Sequence, residues 1–169
     1  MNININNKLT KFVMHKIQHY NHQKYWKRRK EVVDINSKKL KIIRMYYLYY
    51  IKKCDAYNNA SMGTDLGKGA FFETPPLLPH HLNGIIVSHY ARIGKNCTIF
   101  QQVTIAEGKE KKAAIIGDNC LIGAGAKIIG NVKIGNNVKI GANAVVVTDI
   151  PDDCTAVGVP AKIIKHEKK

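Results

Sequence analysis

An aliphatic side chain returns at every sixth position through two long runs of this chain. Val87, Ile93, Ile99 and Ile105 form the first, and Ile116, Ile122, Ile128, Ile134, Ile140 and Val146 form the second. Four residues after most of these stands another small or apolar residue: Cys97, Val103, Cys120, Ala126, Val132, Val138 and Ala144. Glycine directly follows the aliphatic in "IGKN", "IGDN", "IGAG", "IGNN" and "IGAN". Extended chain alternates its side chains between faces, so two inward positions per six residues describe short flat strands joined by tight corners. Hexads of this grammar stack into a parallel β-helix, where each coil buries its aliphatics against its neighbours and no coil is stable alone. The spacing therefore predicts a mainly β protein.

The gap between the two runs is also informative. Ile105 to Ile116 spans 11 residues where six were due, so five extra residues within "AEGKEKKAA" leave the coil as a basic loop. Loops extruded from a rigid scaffold often carry function. Cys97 and Cys120 fall in phase with the inward positions and read as small core hydrophobes, whose buried thiols are inert.

Residues 1–57 differ from the rest in kind. Residues 1–60 hold 14 Lys/Arg against 3 Asp/Glu, most of the chain's formal net charge of +15. The apolar positions Leu40, Ile43, Tyr47 and Tyr50 recur at spacings of three and four and describe one packing face of a helix. Asp34, Asn36 or Ser37 of "DINS" is expected to cap it, and "KRRK" reads as a solvated helix face. The Gly-, Asn- and Pro-rich stretch after "AYNN" cannot continue a helix. The expected organisation is a basic α-helical region over 1–57 and a β-helix domain with a C-terminal tail over 58–169. The apolar segment "IIRMYYLYYI" is too short to span a bilayer and carries Arg44. Four widely spaced cysteines with no CxxC pair and no signal peptide fit a reducing, cytoplasmic setting. The charge points to an anionic surface, with peripheral membrane contact through the basic region as one form; no nucleic-acid module is visible.

"SHYARIGKNCTIFQQVTI", "IGDNCLIGAGAKIIGNVKIGNNVKIGANAVVVTDIP" and "VGVPAKII" resemble the hexapeptide-repeat acyltransferases, and among them the serine acetyltransferase branch, over roughly residues 57–165. The resemblance implies a left-handed β-helix, an exception to the usual right-handed crossover. It also implies a homotrimer with active sites between subunits, and acetyl transfer from acetyl-CoA to a hydroxyl without a metal. A histidine would accept the hydroxyl proton in a single ternary complex. Family members run the pantetheine arm past the alanine of an "IGA" unit and its counterpart one coil on, which are Ala124 and Ala142 in this chain. The nucleotide end would meet Lys162 and Lys165.

The family base lies in "LPHHLNGI", with two registers open. The proline–histidine match weighs toward His80, while the spacing to Gly84 selects His81. Neighbours in extended chain face opposite ways, so one of the two is expected to serve. His15, His19, His22, His89 and His166 read as residues without a role. Departures bear on the acceptor. Asn59 stands where the serine enzymes have the aspartate that orients the histidine, leaving Asp65 or Glu73 as substitutes, and their Arg-His pair is missing from the loop. A sugar of capsule, lipopolysaccharide or another surface glycan therefore rivals serine as the acceptor. A scaffold docking on an anionic surface is the non-enzymatic alternative. A three-histidine zinc site of the carbonic anhydrase kind lacks its ligands, because no histidine follows His89 until the tail.

Overall fold

A computed structural model describes residues 13 and 16–165. Two helices, α1 (His22–Val33) and α2 (Lys41–Tyr57), pack on each other and lead into a small antiparallel hairpin, β1 (Thr64–Asp65) and β2 (Lys68–Gly69). From there the chain winds round three faces. One face holds β4 (Ile86–Val87), β7 (Thr104–Ala106), β10 (Lys127–Ile129) and β13 (Val145–Val146). The next holds β3 (Phe71–Phe72), β5 (Arg92–Ile93), β8 (Ile115–Ile116) and β11 (Lys133–Ile134). The third holds β6 (Thr98–Ile99), β9 (Leu121–Ile122), β12 (Lys139–Ile140) and β14 (Cys154–Val157), with β15 (Lys162–Lys165) antiparallel at its end.

From β3 to β14 the strands pair in parallel with the strand one full turn away, so Leu121 lies beside Lys139 and Lys127 beside Val145, 18 residues on, while the last coil is shortened to 16, Lys139 lying beside Thr155. Three hexads make one coil. Where the loop interrupts, Thr104 lies beside Lys127, 23 residues on, and the coils still close in register. Every aliphatic of both runs is buried, and so is every second inward residue, including Cys97 and Cys120. The core is thus one continuous column of side chains, each coil sealed by the next.

The corners explain the recurring Gly and Asn. Asn96, Asn119, Asn137 and Asp153 turn the chain in the left-handed region, with φ of 54°, 57°, 57° and 58°. Asparagine tolerates this better than most residues. Their side chains also join coil to coil: Asn96 Nδ2 donates to Asn119 Oδ1 (3.3 Å), Asn119 to Asn137 (3.2 Å) and Asn137 to Asp153 (2.9 Å).

The helical region departs from its sequence reading in three places. Arg29 of "KRRK" is buried rather than solvated. Its guanidinium donates to Thr64 Oγ1 (2.9 Å) and to the carbonyls of Met62 (3.0 Å) and Ala70 (2.7 Å), and it stacks on Trp26 and Phe72. Those carbonyls of the hairpin region need a donor, and burial lowers the guanidinium pKa to about 10 while leaving it charged. Among the described residues no side chain caps α2, whose N-cap is Leu40; Asp34 instead ends α1 and accepts from the Asn36 amide (2.8 Å). Leu40 and Ile43 are exposed, because α2 meets the core through Ile51 and Cys54, with Tyr47 and Tyr50 half-buried beside them.

Candidate active site

The two histidines lie where the chain passes from the third face to the first. Residues 79–84 form a turn, not extended chain, since His81 at φ 56° and Gly84 at φ 66° reverse the backbone there. Side-chain directions at this corner are therefore set by the turn and not by strand alternation. His80 is exposed, its ring 6.0 Å from that of Phe100. His81 is half-buried; its amide donates to the Leu78 carbonyl (3.0 Å), and its ring meets Tyr20 edge-on at 5.6 Å.

Tyr20 brings the N-terminal region into the site. Trp26 Nε1 donates to Tyr20 Oη (3.2 Å), and Tyr20 Oη lies 2.9 Å from His22 Nδ1. Burial, and after it the neighbouring His81, lowers the pKa of His22. Behind them Tyr25 donates to Asp55 Oδ1 (2.7 Å), and burial pushes the Asp55 carboxyl up to about 6 despite that bond. The Gly84 amide closes the turn onto the Asn58 carbonyl (2.8 Å) at the end of α2. Sequence reasoning gave His22 no role and did not single out Tyr20. The clustering of rings in "HYNHQKYW" was the available signal.

Down the same edge the coils are stitched by backbone bonds. Gln102 N donates to Asn83 O (2.9 Å), Gly125 N to Gln101 O (2.9 Å) and Asn143 N to Ala124 O (2.8 Å). Ala124 and Ala142 thus stand in line below the histidine turn, Ala124 half-exposed and Ala142 exposed. A Cβ on Gly123 would come within 2.7 Å of the Ala142 nitrogen, so the coils are as close as backbone permits. The result is an open track bordered by methyl groups, which suits a slim chain lying along backbone. The Ala161 amide donates to Val145 O (2.8 Å), carrying the chain past this edge into β15. Lys162 is exposed at its start, and the backbone of Lys165 lies opposite that of Cys154 in the strand register.

The carboxylates and the loop lie elsewhere. Asp65 makes an ion pair with Lys52 (3.8 Å) and lies 3.1 Å from His89 Nε2, and Glu73 pairs with Lys95 (3.0 Å). His89, read as a lone surface residue, therefore has a partner. In the loop Glu107 accepts from the Ser88 hydroxyl and Glu110 pairs with Lys112 (2.7 Å). A cavity of about 960 Å³ opens between α1 and the first coil, bordered by His22, Trp26, Phe72, Lys27, Lys30 and Lys68. Among the described residues no three His, Cys, Asp or Glu side chains group to share a metal ion.

Comparison with known proteins agrees with this architecture. The bacterial transferase hexapeptide (six repeats) family matches residues 113–148. A serine acetyltransferase of Synechococcus elongatus is 41% identical over 105 residues, 60% of this chain and 40% of that protein. A serine acetyltransferase solved in complex with CoA superposes with a TM-score of 0.65 at 28% identity, covering 84% of this chain and 55% of that one. The soybean serine acetyltransferase complexed with serine superposes with a TM-score of 0.61 at 35% identity, covering 72% of this chain and 49% of that one. The chain spans about half the length of these relatives, or less.

Proposed function

We propose that this chain, which carries the bacterial transferase hexapeptide repeat and is similar to serine acetyltransferases, transfers acetyl from acetyl-CoA to an acceptor hydroxyl. The observation that carries the reading is the shared edge: the histidine turn and the Ala124–Ala142 track lie on one line of corners. A thioester carried on that track would reach the histidines. The β-helix is read as left-handed and the working unit as a cytoplasmic homotrimer, with each site completed by a neighbouring subunit.

His81 is the proposed base. Its half-buried ring is held against Tyr20 with His22 nearby, whereas His80 stands in solvent. A base takes the hydroxyl proton as the oxygen attacks the thioester carbon, and a ring held in place does so with less loss of orientation. Asn59 supplies no carboxylate, and Asp65 and Glu73 pair with Lys52 and Lys95. Tyr20 and His22 are therefore the proposed positioning residues. Lys162 and Lys165 would neutralise the nucleotide phosphates of CoA.

Serine is the first acceptor on this reading. A second reading, a glycan hydroxyl, is favoured by the aromatic and basic cavity beside His22. Its volume of about 960 Å³ lies at the upper end of the range of roughly 300–1,000 Å³ that encloses drug-sized ligands, far more than serine needs. The test is thiol release from acetyl-CoA with serine, homoserine and a panel of sugars and nucleotide sugars. His81→Ala should lower kcat by about two to four orders of magnitude with CoA binding intact, and His80→Ala much less. The reverse pattern moves the base by one residue; two mild effects refute the assignment.

A further inference from the structure

The outer face of α2 is apolar and exposed. Ile42, Met45, Tyr46 and Tyr49 follow one another at helical spacing and are 74%, 54%, 60% and 64% exposed. Leu40, also exposed, adds an apolar side chain just before the helix start. The solenoid does not need these residues, since α2 is anchored through Ile51 and Cys54. A contiguous patch of this kind marks an interaction surface.

Charge decides what it faces. Lys38, Lys39, Lys41 and Lys53 are exposed around the stripe, and the Arg28 guanidinium lies over the rings of Tyr46, Tyr47 and Tyr50 at 5.4, 5.1 and 4.2 Å. Residues 1–60 contain three acids, and each is engaged within its own region. Asp55 is buried against Tyr25, Glu31 accepts from Ser37, and Asp34 accepts from the Asn36 amide. A second copy meeting this face across a two-fold axis would press like charges together. Large apolar side chains ringed by lysine, with tyrosines at the boundary, instead match a helix lying in the headgroup layer of an anionic bilayer.

We propose that the outer face of α2 docks this protein on anionic lipid membranes, a function independent of which acceptor the active site takes. No helix of the described residues is long and apolar enough to cross a membrane, so the contact is peripheral. The test is co-sedimentation of the full chain with vesicles of pure phosphatidylcholine or of equimolar phosphatidylcholine and phosphatidylglycerol, at low and high salt. Binding is expected on the anionic vesicles alone and should weaken with salt. Ile42→Ser with Tyr49→Ser should lower the partition coefficient about tenfold or more, with helix content and oligomeric state unchanged. Absence of binding to anionic vesicles overturns the proposal, as does binding that the double variant leaves intact. A double variant that changes the oligomeric state while lipid binding persists would assign the face to a second copy instead.

Discussion

Asp55 gives the sharpest link between burial and stability. Burial holds its carboxyl at about 6 in the folded chain against 3.8 when unfolded, with the Tyr25 hydroxyl, Lys52 and Arg29 offsetting part of the cost. Below pH 3.8 the group is neutral in both states and contributes no difference. As pH rises from there to about 6, the unfolded chain releases its proton first, so the folded chain binds more protons and loses stability. Above that both are ionised and the deficit is constant. At about 1.4 kcal/mol per pH unit the full deficit is about 3 kcal/mol. Asp55→Asn keeps an oxygen for the Tyr25 hydroxyl and does not titrate. Urea unfolding followed through Trp26, the single tryptophan, at pH 4.5 and 7 should show wild type losing about 2 kcal/mol relative to the variant. Other titrating groups cancel in the comparison. A difference that stays constant with pH, or one that moves toward wild type as pH rises, would refute the reasoning.

Two further outcomes follow from the corners. Asn137→Ala should destabilise by about 1–2 kcal/mol more than Asn137→Gly, because both lose the side-chain ladder and alanine alone is strained in the left-handed region; equal losses in urea unfolding would disprove the backbone argument. Ala142→Trp should fold but lose the protection that CoA gives against thermal unfolding, whereas undiminished protection would count against the track.

The coils were legible because their physics is periodic. A buried aliphatic at each sixth residue and a left-handed asparagine at a repeated corner leave their mark every time the chain goes round. The five-residue surplus before Ile116 was legible for the same reason, as an interruption of a regular count. The site was less so, because it depends on contacts with no period. That Tyr20 would pack on His81 across some sixty residues, or that Arg29 would be drawn inward by three oxygens of the hairpin region, depends on how two helices dock. The turn at His81 was misread as extended chain because its left-handed residue is a histidine and not the expected glycine or asparagine. The open stripe of α2 was invisible for a related reason: periodicity identifies an apolar face and does not say what that face meets.

The 18-residue coil imposes a kind of reading frame on change in this protein. Insertion or loss of a whole coil would return every later residue to the edge it left. Insertion or loss of a single hexad would keep every aliphatic inside, and the solenoid would still close. Yet it would rotate everything beyond it by one edge, carrying Ala142 away from the line that runs down from His81. Stability therefore counts this chain in sixes, while the alignment of its proposed site counts it in eighteens.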